Sequence, residues 1–182
     1  YLAFAALAEK LVSETTPVKI SRRASEIRGS DIGLKAGDTV SFGDLVRATA
    51  IASANDAAVA IAEHLGRSEG AFAKTMTATA KELGLRGSRF ANATGHAAKD
   101  HRMTAADVAK LASVLLEKFP DRWRIFAERE FHFRGEAYPN RNPLLGSFAG
   151  ADGIKTGQTQ AGGFGLAASA LRGGKRLILV IN

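Results

Sequence analysis

A Gly-Gly pair at residues 173–174 separates two runs of residues that are typical of β-strands. Both central residues of a tight hairpin turn adopt positive φ, which glycine tolerates, so the pair favours a β-hairpin. The run 164–171 before the turn predicts one strand. The run 176–181 after it is almost continuously apolar and predicts a second strand that is buried on both faces.

The middle of the chain has the pattern of helices. Ser41, Ser68 and Thr104 each precede a helical stretch and are predicted N-caps, because a short hydroxyl side chain accepts a hydrogen bond from the first helical turn. Helical pattern covers residues 1–12, 41–52, 57–65 and 69–83, and a last helix runs from 104 to just before Pro120. Further strands are predicted at 18–20, 130–133 and 151–155.

This order of elements predicts an α+β fold in one domain that covers residues 1–182. Helices would pack on an antiparallel sheet, and strands near the N-terminus would complete that sheet around a large helical insertion. The chain begins and ends in apolar runs, so we expect the domain to be incomplete at both ends. The opening run 1–8 lacks a basic leader and is too short to cross a bilayer.

Composition narrows the kinds of function. The chain has no cysteine, which excludes disulfides, zinc–thiolate sites and cysteine nucleophiles. Its net charge of +7 favours anionic partners such as nucleic acid or the bacterial envelope. The basic residues are scattered and not interleaved with aromatic ones, so we expect no nucleic-acid binding. The four histidines form no recognisable metal-binding motif, and no metal or other cofactor is predicted.

Two short motifs carry the candidate chemistry. Ser53-Ala54-Asn55 falls in a break between helical stretches, and Lys155-Thr156-Gly157 ends a predicted strand and is followed by Gln158. Alone, the first motif favours a helix cap and the second a strand end with a turn glycine. Together, in this order and about a hundred residues apart, they match the second and third motifs of the penicillin-recognising serine enzymes, whose first motif is Ser-x-x-Lys.

The residues around these motifs resemble one family of those enzymes, the serine D-alanyl-D-alanine carboxypeptidases. The segments 33–40, 90–96, 139–142 and 152–157 are all similar to that family, so the resemblance covers essentially the whole chain. It implies the β-lactamase/transpeptidase-like fold and removal of the terminal D-Ala from peptidoglycan stem peptides through an acyl-enzyme. It also implies inhibition by β-lactams. The expected location is the periplasm, at the outer face of the cytoplasmic membrane, with any membrane attachment in segments outside these residues.

The sequence departs from the family at two points. It contains no Ser-x-x-Lys, and the resemblance places that nucleophile motif a few residues before Tyr1. Gln158 stands where the nearest relatives often have histidine. Only the backbone N–H of this residue is needed to bind an oxyanion, so we expect activity to survive and substrate preference to differ.

The resemblance assigns roles to the motif residues. Ser53 would relay a proton to the leaving amine, and Asn55 would orient the catalytic lysine and hold the substrate amide. Lys155 would act as a second cation that lowers the pKa of that lysine.

The remaining assigned residues would bind the substrate. Thr156 and Arg141 would bind its carboxylate, and Arg141 also fits a plain surface ion pair. Gly157 would let the substrate backbone approach the strand. The backbone N–H of Gln158 would complete the oxyanion hole.

Alternatives remain open at this stage. A serine β-lactamase shares the motifs, but the sequence has no Glu-x-x-Leu-Asn segment between them for deacylation. A D,D-endopeptidase uses the same core residues. From another class, a module that binds peptidoglycan without cutting it fits a chain that has no nucleophile motif.

Overall fold

The computed structural model describes residues 1–159 and 162–181. The helices are α1 (Leu2–Ala8), α2 (Arg22–Ser25), α3 (Phe42–Arg47), α4 (Asn55–Gly66), α5 (Glu69–Glu82) and α6 (Ala105–Lys118). The strands are β1 (Pro17–Lys19), β2 (Thr39–Ser41), β3 (Glu130–Phe133), β4 (Glu136–Pro139), β5 (Ala151–Thr159), β6 (Gly163–Arg172) and β7 (Lys175–Ile181). A π-helical turn, Ala48–Ala52, connects α3 to α4, and a 3-10 helix occupies Arg122–Ala127.

The predicted helix caps are confirmed. The side chains of Ser41, Ser68 and Thr104 each accept a hydrogen bond from the backbone N–H three residues later, at 3.1, 3.2 and 3.1 Å. Each bond satisfies a donor that has no partner inside the helix, so these helices begin where the hydroxyl residues stand. The first helix ends at Ala8 and is shorter than the predicted stretch 1–12.

Strands β5, β6 and β7 form an antiparallel sheet with β6 in the centre. The predicted hairpin is confirmed, because Arg172 pairs with Lys175 and the two glycines between them have φ of 53° and 73°. Strand β5 extends to Thr159, beyond the predicted 151–155, because its residues pair with β6 in unbroken register from Gly153 to Thr159. This extension carries the Lys155-Thr156-Gly157 motif along the edge of the sheet.

The prediction that N-terminal strands complete this sheet is wrong. Strand β1 pairs with β2 in a separate antiparallel ribbon, with Val18 opposite Val40. The backbone bonds from Ile20 N–H to Asp38 O (2.8 Å) and from Gly37 N–H to Ile20 O (2.9 Å) close that ribbon. Its short strands therefore satisfy each other locally. Strand β4, which was not predicted, pairs with β3 in a further hairpin.

The prediction that β7 is buried on both faces is also wrong. Leu177, Leu179 and Ile181 are 75%, 55% and 53% exposed, while Ile178 and Val180 pack against the core. Side chains alternate between the two faces of a strand, and α6 packs against β7. An apolar run shows that both faces are apolar, but it does not show that both are covered.

The core joins the helices to the sheet. Phe42, Leu45 and Ile51 are at most 1% exposed and lie in one apolar cluster with Ile154 of β5. Burying a side chain of this size stabilises a fold by about 1.5–3 kcal/mol. The cluster holds the π-helical turn against the sheet, which is what positions the site described next. Among the described residues, no helix has the length and apolar character needed to cross a membrane.

Candidate active site

The π-helical turn places Ser53 at a sharp change of chain direction. The N–H of Ala54 donates to the carbonyl of Ala48 at 3.1 Å, a wider loop than an α-helix makes. Ser53 ends this turn in the left-handed region, at φ 61° and ψ 34°. Left-handed backbone at a non-glycine residue is unfavourable, and such residues concentrate at functional sites. The turn leaves the Ser53 side chain half-buried and lining a cleft.

Asn55 begins α4 directly after this turn. The loop between α2 and β2 contacts both its backbone and its side chain. Its backbone N–H donates to the carbonyl of Ser30 at 2.7 Å, and its side-chain Nδ2 donates to the carbonyl of Arg28 at 3.0 Å. The same Nδ2 lies 3.2 Å from Nε2 of His96. These contacts fix both the backbone and the amide plane of Asn55.

Asp56 anchors the same loop from inside the protein. Its carboxylate is 2% exposed and accepts hydrogen bonds from the backbone N–H groups of Ile32, Leu34 and Ala57 at 2.8–3.3 Å. Burial raises the pKa of this carboxyl, and the backbone donors oppose that effect. The loop that contacts Asn55 is thereby tied to the helix that carries Asn55.

Strand β5 delivers Lys155 to Ser53. The Lys155 ammonium donates to Oγ of Ser53 at 2.7 Å and to the carbonyl of Thr156 at 2.8 Å. Burial of the ammonium, and secondarily the nearby charge of Arg141, lower its pKa to about 8. Lys155 is therefore poised between its charged and neutral forms in mildly alkaline solution.

A cleft of about 710 Å³ contains every residue that the sequence predicted for the site. The predicted residues that line it are Ser53, Asn55, Arg141, Lys155, Thr156, Gly157 and Gln158. Two of them are cationic, and no Asp or Glu lies among the described residues that line the cleft. The cleft therefore favours an anionic group such as a carboxylate. The structure brings these residues together, while the roles assigned to them stay predictions.

The edge of β5 forms one wall of the cleft. Strand β5 pairs with β6 on one side, and in the part of the chain that the structure describes it has no strand on its other side. A Cβ built on Gly157 would meet no heavy atom within 4 Å, so open space lies in front of this residue. An extended peptide can pair with an unpaired strand edge through its backbone.

Sequence reasoning missed several residues of the cleft. His96 was given no role at the site, and Gly29 and the exposed Phe164 were not singled out. Phe164 stands opposite Gln158 on β6, a pairing that follows only from the strand register. Gly29 and His96 meet Asn55 from distant loops, and no sequence pattern signals such a contact. Across the described residues, no cluster of three or more His, Asp or Glu is placed to hold a metal ion.

Comparisons with known proteins show which family this chain resembles. The model of the D-alanyl-D-alanine carboxypeptidase family (peptidase S11) matches residues 1–182. The chain is 41% identical over 157 residues to D-alanyl-D-alanine carboxypeptidase DacC of Escherichia coli, covering 85% of this chain and 39% of that protein. It is 35% identical over 185 residues to D-alanyl-D-alanine carboxypeptidase DacF of Bacillus subtilis, covering 99% of this chain and 47% of that protein.

Solved structures extend the match to the fold. Penicillin-binding protein 5 of Haemophilus influenzae superposes with a TM-score of 0.94 at 32% identity, covering 100% of this chain and 54% of that one. This chain thus spans about two-fifths to one-half of the length of these relatives. Its mixed helix and antiparallel-sheet architecture is that of the penicillin-binding proteins. From the family match along all 182 residues and this shared fold, we conclude that the chain belongs to the D-alanyl-D-alanine carboxypeptidase family.

Proposed function

We propose that the full-length gene product is a serine D-alanyl-D-alanine carboxypeptidase that removes the terminal D-Ala from peptidoglycan stem peptides. The contact that carries the proposal is the 2.7 Å hydrogen bond between Lys155 and Ser53 in a cleft that also contains Asn55 and Arg141. A hydroxyl, an amide and two cations can relay a proton and bind a free carboxylate while an acyl group is transferred from a peptide. Residues 1–182 would form one part of a single catalytic domain.

The nucleophile is the component that the proposal places before Tyr1. No serine of the sequence is followed by lysine three residues later, so none of them has its own Ser-x-x-Lys base. Ser53 would pass a proton between the lysine of the Ser-x-x-Lys motif and the leaving amine. The Lys155 ammonium would donate to the Ser53 oxygen meanwhile. Asn55, held by two backbone carbonyls, would present the free face of its amide to the substrate.

Substrate binding would use the cationic end of the cleft and the edge of β5. The terminal carboxylate of the stem peptide would bind Arg141 and the hydroxyl of Thr156, since guanidinium groups pair well with carboxylates. The peptide backbone would lie along β5 at Gly157, where no side chain intervenes. The N–H of Gln158 would donate to the oxyanion. β-Lactams, which carry a carboxylate beside a strained amide, would bind the same groups.

These partners imply a location outside the cytoplasm. Peptidoglycan stem peptides are exposed at the outer face of the cytoplasmic membrane, so we propose that the protein acts there. Fractionation of cells that express the full-length gene product, with detection in the periplasmic or membrane fraction, tests this point.

Fluorescent penicillin labelling of the full-length gene product tests the function. We expect stable covalent labelling, with the label mapped by mass spectrometry to a serine before Tyr1. Lys155→Ala should slow labelling by about 10²–10³-fold, the size of losing one charge-stabilising group. Lys175→Ala, at an exposed lysine that begins β7, is the matched control and should label at the wild-type rate.

Other outcomes separate the alternative functions. Label that is lost within seconds indicates a β-lactamase, and cleavage of cross-linked peptidoglycan dimers to monomers without release of D-alanine indicates an endopeptidase. No labelling, combined with binding to isolated peptidoglycan, indicates a non-catalytic module. A wild-type rate in Lys155→Ala contradicts the role assigned to that residue.

A further inference from the structure

His96 contacts Asn55 from a loop that two other side chains hold rigid. Its Nε2 lies 3.2 Å from Nδ2 of Asn55. The side chain of Asn92 donates to the His96 carbonyl at 2.8 Å and accepts from Gly95 N–H at 2.9 Å. Glu69, which is 6% exposed, accepts from the N–H of Ala93 in the same loop at 3.1 Å. These bonds fix the backbone of the loop that carries the imidazole.

The carbonyl of Arg28 decides which way the Asn55 amide points. Nδ2 donates to this carbonyl at 3.0 Å, and a flipped amide would place Oδ1 against another acceptor. The second N–H of the amide then has His96 Nε2 as its partner. Since the amide nitrogen only donates, this contact is a hydrogen bond when Nε2 accepts, which requires an imidazole that carries its proton on Nδ1.

Gly29 forms a close wall on one side of this pair. A Cβ built on Gly29 would lie 2.6 Å from Nδ2 of Asn55 and 3.3 Å from Nε2 of His96. The amide has no room to move towards that wall when its contact with the imidazole is lost. The charged residues that share the cleft with His96 in the described chain are Arg141 and Lys155, both cationic. No carboxylate lines the cleft there to hold a protonated ring in place.

We propose that His96 is a positioning residue for Asn55: its unprotonated Nε2 accepts a hydrogen bond from the amide, and protonation of the ring releases that amide. A protonated imidazole carries N–H groups at both nitrogens, so a donor would then face the Nδ2 donor. Imidazole side chains change charge between about pH 5 and pH 8. Acylation would therefore slow on the acid side of neutrality because Asn55 loses its position. This inference rests on the proposed acyl-transfer function.

Labelling rates of the full-length gene product with fluorescent penicillin, measured between pH 5 and pH 8, test the proposal. His96→Gln offers an acceptor that does not titrate, and His96→Leu offers none. We expect the wild type to slow at pH 5 by about three- to tenfold through this contact, the effect of one hydrogen bond. His96→Gln should keep the neutral rate and lose that part of the acid decline. His96→Leu should be slow throughout.

His101→Gln is the matched control, because His101 lies in the same loop and accepts from Ala91 N–H, away from the residues that line the cleft. Its pH profile should superimpose on that of the wild type. If His96→Gln also superimposes on the wild type, the proposal is wrong.

A spectroscopic measurement tests the contact independently of catalysis. With ¹⁵N-histidine in the full-length gene product, the His96 resonances are identified by their loss in His96→Gln. At pH 8 we expect the Nε2 shift of an unprotonated nitrogen and a proton on Nδ1. A proton on Nε2 at pH 8 overturns the proposal whether or not the protein reacts with penicillin. Absence of labelling at every pH, with the expected tautomer present, contradicts the proposed function and leaves the hydrogen bond between His96 and Asn55 standing.

Discussion

The ammonium nitrogen of Lys155 lies 2.7 Å from the hydroxyl oxygen of Ser53, although 102 residues separate them in the chain. The contact exists because an apolar cluster packs the turn before Ser53 against β5, where Ile154 is 5% exposed beside Lys155. Packing on one side of the strand thus sets the chemistry on the other side, since neighbouring side chains of a strand point to opposite faces.

The lowered pKa of Lys155 predicts an alkaline limit to acylation. If the ammonium is required, labelling should fall as pH rises through about 8, the pKa of Lys155. Arg141→Gln removes the smaller of the two causes of that lowered pKa, so the pH at which labelling falls should be higher in this variant. Burial should still keep the pKa of Lys155 below that of an ordinary lysine. Labelling rates from pH 7 to pH 10 give the midpoint. Arg172→Gln, at an exposed arginine, is the control, and an equal shift in both variants would count against this explanation.

The buried ammonium of Lys155 is also expected to lower the free energy of unfolding at neutral pH. Its pKa is about 8 in the folded chain and 10.5 for an ordinary lysine, so between these values the unfolded chain binds more protons. Stability therefore rises with pH across that window. We expect Lys155→Met to exceed the wild type in free energy of unfolding by roughly 1–3 kcal/mol at pH 7, with the difference shrinking towards pH 10.5. Urea unfolding at both pH values measures it, and a difference that does not change with pH contradicts it.

Alanine substitutions at Gly29 and Gly33 distinguish backbone strain from a steric clash with the Asn55 side chain. Both have positive φ, 104° and 72°, but a Cβ meets Asn55 Nδ2 at 2.6 Å only at Gly29 and nothing within 4 Å at Gly33. Each alanine substitution should destabilise the fold by about 1–2 kcal/mol through its backbone conformation. Gly29→Ala should also slow penicillin labelling because it displaces the amide. Thermal unfolding and labelling together test this, and equal labelling of the two variants would show that the amide is not displaced.

Substitutions of Asp56 should lower the free energy of unfolding to different extents. Its carboxylate accepts from three backbone N–H groups, so Asp56→Asn turns an N–H₂ group towards one of those donors and should cost about 1–3 kcal/mol. Asp56→Ala leaves all three donors unpaired and should cost more than Asp56→Asn. Urea unfolding ranks the variants. Asp31→Ala, at an exposed carboxylate of the same loop, should cost less than either.

Local patterns predicted much of the fold. The hydroxyl caps at Ser41, Ser68 and Thr104 fixed the starts of three helices, and the glycine pair fixed the last hairpin, because each depends on residues close together in the chain. The pairing of β1 with β2 was missed, because choosing between two partners for a short strand depends on tertiary packing. The exposed face of β7 was missed because alternation does not reveal which face a neighbour covers.

The candidate site was predictable where motifs carry the information. Ser53, Asn55 and Lys155 were singled out from two tripeptides and lie in one cleft, and their assigned roles await experiment. The neighbours of Asn55 were not predictable. The carbonyl of Arg28 presents the same chemistry as every other backbone carbonyl, and the imidazole of His96 reaches the amide only through the folded path of its loop.

The wide turn Ala48–Ala52 has an implication for how this site tolerates change. A π-helical turn holds about one residue more than an α-helical turn. Losing one residue there would let α3 continue as an ordinary helix as far as Ser53, with its apolar side chains still able to pack. Each residue of helix rotates the chain by about 100°, so everything after the deletion would face a different direction. A protein shortened in this way would retain a credible core while aiming its serine and asparagine away from the lysine, a failure that a stability screen alone would overlook.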